Sequence, residues 1–275
     1  MLSKEFGAKL TKRYLSKELF PFSFDEFLRA KKRSASSKIF EEYLYTGGFP
    51  EYVRSQDPRI LNELLADVLQ RDISVRVSIK NDTILKKLAL YLISNVGKEF
   101  SYNSLKKMFE VKSVQTIIDY IHYLENSYMI FTIPSFSYSY KKQQVNPKKV
   151  YSVDNGFSSV NSVSFSKDKG RMLENAVFLE LRRRSKEIFF YREGKECDFL
   201  LKENGKITQA LQVCYFLDEE NKERELSGLL NALKEFSLKK GKIITFDQED
   251  HFEIEDKKIE LLPLWKWMLS GGDKR

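Results

Sequence analysis

The stretch from Gly170 to Phe216 constrains the chain most, because it sets polar side chains where a small α/β core would take apolar ones. It reads as helix, strand, tight turn and strand. On a helix beginning at Arg171, with Leu173 as origin and about 100° per residue, Val177, Leu181 and Phe178 span roughly 140°. Glu174 falls inside that apolar arc and Glu180 at its edge. A carboxylate on a core-facing stripe needs a partner, water or a metal. In the strand Glu196–Leu201, strict alternation puts Cys197, Phe199 and Leu201 on one side and Asp198 beside Leu200 on the other. In the strand from Ile207 to Phe216, Ala210, Gln212, Cys214 and Phe216 share a face. Glu174, Asp198 and Gln212 are therefore expected to converge on one spot.

The rest of the chain bounds what that spot can belong to. With 275 residues there is room for two or three domains, and 42% hydrophobic with 31% charged residues describes a soluble globular protein. The formal charge of +8 suits an anionic partner, although lysine-rich surfaces also serve solubility and heat stability. Two cysteines, Cys197 and Cys214, fit a reducing cytoplasm rather than a disulfide scaffold. His122 and His251 lie far apart without nearby cysteine, which argues against zinc. No apolar leader and no long apolar run occur, so a cytoplasmic location and no membrane partner are expected. There is no Gly-x-x-x-x-Gly-Lys-Ser/Thr loop and no Rossmann glycine run, hence no recognisable nucleotide-binding loop.

Residues 1–80 read as mainly helical. Glu5 to Leu15 suggests a basic helix, and Ser23 with Glu26 forms a capping-box signature before Phe27 and Leu28. Gly47-Gly48-Phe49-Pro50 implies a tight, specially shaped turn after a short helix at Ile39 to Leu44. Pro58 to Ile73 predicts one long amphipathic helix. Residues 81–147 have the layout of a winged helix: helices near 84–93, 101–109 and 113–124, then strands at Tyr128–Ile133 and Phe136–Tyr140. If it reads DNA, its recognition helix would present Lys112, Gln115 and Thr116, and its wing Lys141, Lys142, Lys148 and Lys149; a module used for packing or protein contact is the alternative. The run Phe136, Tyr138, Tyr140 has strand period and reads as a wing face rather than a base-stacking platform. Residues 148–275 predict a small α/β sheet between helices, with strands at 188–192, 196–201, 207–216, 242–246 and near Ile259, and a helix over 223–238. The fold class is thus α/β multidomain.

Several segments also carry a family resemblance. Phe22-Ser-Phe-Asp-Glu-Phe27, Tyr45-Thr-Gly-Gly-Phe-Pro-Glu51, Leu173-Glu-Asn-Ala-Val-Phe-Leu-Glu180, Glu196-Cys-Asp-Phe199 and Leu211-Gln-Val-Cys-Tyr215 occur in this order. In them the chain resembles archaeal and bacterial AAA+ ATPases that carry a C-terminal domain of unknown function (DUF4143). The order helix-Glu, strand-Asp, strand-Gln resembles the restriction-endonuclease-like PD-(D/E)xK fold. The resemblance implies a nuclease-like site with Glu174, Glu180, Asp198 and Gln212 as catalytic candidates. Glu174 and Asp198 would be ligands for Mg²⁺, and no other cofactor is expected. It also implies an ATPase core upstream that this chain lacks, with Arg13 resembling an arginine near the end of that module. The nuclease lysine is missing: Cys214 stands in its place, and Lys195 and Lys202 only flank the Asp198 strand. The resulting expectation is a DNA-associated or protein-recognition module with an inactive nuclease-like domain, partnered by DNA, a separate ATPase subunit or another protein. The alternative is an Mg²⁺-dependent DNA endonuclease using Glu174, Asp198 and Gln212.

Overall fold

A computed structural model describes residues 17–74, 82–162 and 168–271. The expected basic helix at Glu5 to Leu15 and Arg13 lie outside the described residues. The chain is mixed α/β and divides into two compact units. The first takes the described residues before Ser23, Thr46–Thr132, and those from Pro147 to Ser162. The second takes Ser23–Tyr45, Ile133–Asn146 and the described residues from Asp168. Both units are therefore assembled from segments distant in sequence.

Helices α1 (Phe24–Lys31) and α2 (Ser37–Thr46) come first. The expected capping box closes α1: Ser23 N–H donates to Glu26 Oε2 at 2.8 Å, and Glu26 N–H returns to Ser23 Oγ at 3.3 Å. The bond donated by Ser23 N–H, joined by one from the Ser23 hydroxyl, holds the Glu26 carboxyl below its usual range. Helix α3 (Pro50–Ser55) opens on Pro50, where a missing N–H costs nothing. Helix α4 (Arg59–Asp67) buries Leu61 and Leu65 and then widens into a π-helical stretch, Val68–Ser74. The single long helix expected over Pro58–Ile73 is thus α-helical for only its first part.

Next come α5 (Asp82–Ser94), β1 (Glu99–Phe100), α6 (Tyr102–Met108), α7 (Val114–Asn126), β2 (Ile130–Pro134), α8 (Tyr140–Val145) and β3 (Lys148–Ser152). Ser101 and Ser113 cap α6 and α7, and α7 buries Ile117, Tyr120, Ile121 and Leu124 at helical spacing. The strands form a sheet of order β1-β3-β2, with Glu99 opposite Lys149 and Phe100 opposite Lys148.

Two expectations about this region are corrected. Phe136–Tyr140 is not a strand; Ser139 instead caps α8, its hydroxyl accepting from Lys142 N–H, and the sheet's remaining strand is β3. Lys148 and Lys149 are consequently buried in β3 at 9% and 2% exposure, out of reach of a phosphate backbone. Lys148 lies 5.9 Å over the Tyr102 ring, and burial pushes its ammonium pKa down.

Asp154 caps α9 (Asn155–Asn161), accepting from Phe157 N–H at 2.9 Å. Its other oxygen accepts from Gly48 N–H at 2.6 Å, and a Cβ on Gly48 would overlap the Phe22 backbone. Gly47 has φ +69°, and a Cβ there would overlap the Asp154 carboxylate.

The second unit continues with α10 (Lys169–Arg184), β4 (Ile188–Glu193), β5 (Lys195–Glu203), β6 (Lys206–Val213), α11 (Lys222–Glu235), β7 (Lys240–Thr245), β8 (Asp250–Ile254), β9 (Lys257–Pro263) and α12 (Leu264–Leu269). The sheet order is β4-β5-β6-β7-β9-β8. Strands β4, β5 and β6 run antiparallel; α11 then carries the chain back so that β7 lies parallel to β6. Leu226, Leu229 and Leu233 of α11 pack on Phe189, Leu200, Ala210, Ile243 and Ile259. Helix α10 lies against β6 and buries Leu173, Val177, Phe178 and Leu181.

Candidate functional site

The site is built where β5 and β6 part. Phe189 pairs with Leu200 and Tyr191 with Cys197, so three steps of β5 oppose two of β4. That bulge sits at Asp198–Phe199. It overturns the simple alternation expected for β5: Cys197 and Leu200 both join the core beneath α11, rather than opposite faces. A period-two reading cannot show an inserted residue.

At the bulge, Asp198 is only 6% exposed, and its Oδ2 accepts from Val213 N–H at 2.9 Å. Asp198 N–H donates to Gln212 Oε1 at 3.3 Å, and Gln212 Nε2 donates to Glu225 Oε2 at 2.8 Å. The two ends of the amide thus have opposite partners, which fixes its orientation. Glu225 Oε1 accepts from Arg224 Nε and Nη2 at 3.0 and 2.6 Å. The Arg224 pKa is raised, first by that hydrogen bond and then by the charge of Glu225.

Helix α11 delivers Glu225 because it sits close on β5. A Cβ on Gly228 would overlap Glu196 O, so only glycine permits that approach. Sequence reading missed Glu225, Arg224 and Gly228. The signal was available for Glu225: it stands four residues before Leu229 and seven before Ala232, a carboxylate on the apolar stripe of its helix.

Glu174, Asp198 and Gln212 all line one open cleft of about 750 Å³, so the expected three residues are brought together. Arg171, Lys195 and Phe216 line it too. Glu180 is not among its walls; it is buried on α10 and paired with Arg184 one turn on. Of the two flanking lysines, Lys195 reaches the cleft, whereas Lys202 pairs with Glu187 at 3.1 Å. Phe216 is 54% exposed and does not seal the site.

Cys214 also lines the cleft. Burial, followed by the charge of Glu225, pushes its thiol up to about 11. At neutral pH it is an uncharged thiol, unable to replace an ammonium group or to act as a ready nucleophile.

Mg²⁺ requires near-octahedral oxygen ligation. Among the described residues no three His, Cys, Asp or Glu side chains are grouped to hold a metal. Gln212 Oε1 is taken by the Asp198 N–H, Asp198 Oδ2 by the Val213 N–H, and Glu225 by Gln212 and Arg224. Gln212 and Glu225 are thus engaged within the cleft, and Glu174 and Asp198 are the two carboxylates that would hold the cation, with water completing its shell.

The nucleic-acid candidates fall into two groups. Lys112 and Gln115 are exposed and Thr116 half-buried at the start of α7, where Gln115 Nε2 donates to Asp119 Oδ1 at 2.8 Å. Lys141 and Lys142 are exposed on α8, in the second unit rather than the first.

Residues 37–164 match the model of a domain of unknown function, DUF8612, and residues 169–267 match that of another, DUF4143. The uncharacterized protein MJ1544 of Methanocaldococcus jannaschii is 38% identical over 300 residues, covering 98% of this chain and 67% of the relative. The chain belongs to the same family as that archaeal protein. An uncharacterized protein of Haemophilus influenzae is 28% identical over 282 residues, covering 98% of this chain and 68% of its own length. Among the described residues no helix is long and apolar enough to cross a membrane.

Proposed function

We propose that this chain comes from an AAA+ lineage and acts in DNA association or protein recognition, with a restriction-endonuclease-like domain that does not cleave. The order α10-β4-β5-β6-α11-β7 supports the nuclease-like reading, because it brings helix, strand and strand polar groups into one cleft. The succession α5-β1-α6-α7-β2-β3 with sheet order β1-β3-β2 supports a winged-helix reading of the first unit. The formal charge of +8 favours an anionic partner.

The observation that carries the non-catalytic part is the state of the cleft. Its amide and its α11 carboxylate are spent on each other and on Arg224, and a protonated thiol occupies the place where a nuclease would keep a lysine. Such a site can hold a shape and bind; its Gln212 and Glu225 oxygens are engaged, and its lysine, Lys195, stands at the start of β5 rather than beside Gln212 where a nuclease would keep one.

The test is direct. Duplex DNA is titrated with the full chain across salt, and separately incubated with Mg²⁺ or Mn²⁺. Binding that weakens with salt and leaves the DNA intact is the expected result. Metal-dependent cleavage that disappears in Asp198→Asn would establish the competing reading, an Mg²⁺-dependent endonuclease using Glu174, Asp198 and Gln212. Absence of any DNA binding would leave protein recognition as the surviving half of the proposal.

A further inference from the structure

Large hydrophobic side chains that stand exposed among the described residues are Leu19, Met108, Tyr138, Tyr140, Val145 and Phe216. Half of them fall between Tyr138 and Val145, where Tyr138 is 79% and Tyr140 75% exposed. Clustering of this kind marks an interaction surface, whereas single exposed residues do not.

The rings are held out by a built base. Phe136 N–H donates to Phe190 O at 2.7 Å, and the Phe136 ring meets Phe189 and Phe236 edge-on at 5.5 and 5.0 Å. Tyr138 rests edge-on against Phe136 at 5.3 Å. Ser139 caps α8, and Gln143 Nε2 ties back to Ser137 O. The segment is thus fixed at its apolar root, and the two tyrosines are presented with little ordering left to do on binding. Immediately after them come Lys141 and Lys142, both exposed.

We infer that Ser137–Val145 is a stacking platform for single-stranded nucleic acid, with Tyr138 and Tyr140 taking bases and Lys141 and Lys142 taking phosphates. The inference rests on the nucleic-acid side of the function proposed above and specifies its strand form. Aromatic faces beside cations are the usual means of holding single strands, because unpaired bases offer π-faces that a duplex keeps stacked inside. Protein interfaces also favour tyrosine but are depleted in lysine, so the adjacent lysine pair favours nucleic acid over a protein partner. Glu193 and Glu235 lie near Tyr191 together with Tyr138. Their charge repels phosphate from that end and leaves the Lys141–Lys142 end to take it.

The test is fluorescence anisotropy of labelled oligothymidylate and of a labelled duplex with the full chain, between about 50 and 200 mM salt. Replacing both rings (Tyr138→Ser with Tyr140→Ser) is expected to weaken oligothymidylate binding about tenfold per ring while leaving duplex binding unchanged. The pair Lys141→Gln with Lys142→Gln is expected to weaken it and flatten its salt dependence. Leu19→Ser, at an exposed apolar side chain outside this segment, should change neither, and Phe216→Ser tests the cleft as the competing site. Oligothymidylate binding that ignores the tyrosines, or that follows Phe216 instead, overturns the platform. If duplex alone is bound, the platform falls but the DNA-association reading stands; if neither nucleic acid is bound, both fall.

Discussion

Asp154 of the first unit and Asp198 of the second are buried to a similar degree, at 3% and 6% exposure, and each carboxylate accepts backbone N–H bonds. Their surroundings differ. Asp154 takes Gly48 and Phe157 N–H groups, pressed against Gly47 so closely that a methyl group there would collide with it. Asp198 sits at a bulge, opens on a cleft of about 750 Å³, and connects through Gln212 to a second carboxylate and an arginine. The first is a clasp between distant segments of chain; the second is part of a surface that can meet a ligand. A buried carboxylate is therefore not in itself a sign of function. The space in front of it decides.

The comparison is sharpest in stability. Asp154→Ala leaves two buried N–H groups without their acceptor and removes the α9 cap, at about 1–3 kcal/mol for each unsatisfied group. A total loss of about 4 kcal/mol is expected from urea unfolding of the full chain. Gly47→Ala should cost a comparable amount, by strain at φ +69° and by displacing the same carboxylate. Asp198→Ala should cost only about 1–2 kcal/mol, since the Val213 N–H it frees lies beside an open cleft where water can replace the carboxylate. Equal losses at the two aspartates would break the distinction.

The special turn of the clasp was legible before the fold was known, its partner was not, and the cleft was legible only in part. Adjacent glycines before Phe49-Pro50 signal an unusual backbone whatever surrounds them, although nothing local identifies Asp154 as the partner. Glu174, Asp198 and Gln212 could be grouped because each is polar at a position that periodicity assigns to the core. The bulge could not be foreseen, since alternation has no mark for an inserted residue. The segment Phe136–Tyr140 misled for the opposite reason. Its alternation of aromatic and serine mimics a strand, but only Phe136 is anchored in the core, and Ser139 starts a helix. Strand β8 had no clear signal, being a short, charged edge whose Phe252 and Ile254 are only half-buried.

A smaller effect tests whether the cleft is one coupled unit. Glu225→Ala leaves the Gln212 amide without its acceptor, and Gln212→Ala leaves Glu225 to Arg224 alone. Each is expected to cost about 1–3 kcal/mol, and the double variant less than their sum by about 1 kcal/mol. Strict additivity would mean that the bond contributes nothing and that the cleft is a set of independent residues. Gly228→Ala gives an independent check. By pushing α11 off Glu196 O it should loosen the same contact, lowering the denaturation midpoint and erasing the coupling.

The smallest effect concerns Lys148, a buried charge in the first unit that faces the Tyr102 ring and feels the charge of Glu125. If this unit uses buried polar groups only to hold its fold, an apolar side chain of similar length should serve there. Lys148→Met is expected to change stability by no more than about 1 kcal/mol, in either direction. The pH dependence gives the sharper readout. Burial sets the folded pKa of Lys148 below its ordinary 10.5, so the unfolded chain holds the proton more tightly. That penalty is fully present below the folded value and is relieved as pH rises toward 10.5; the native chain should gain stability over that range. Tyr102, raised to about 12 by burial, acts in the opposite sense only above its ordinary value of 10, so the measurement belongs below pH 10. In Lys148→Met the rise should flatten while the melts remain cooperative. A variant that keeps the full rise would place its origin in another group and remove Lys148 from the account of this unit.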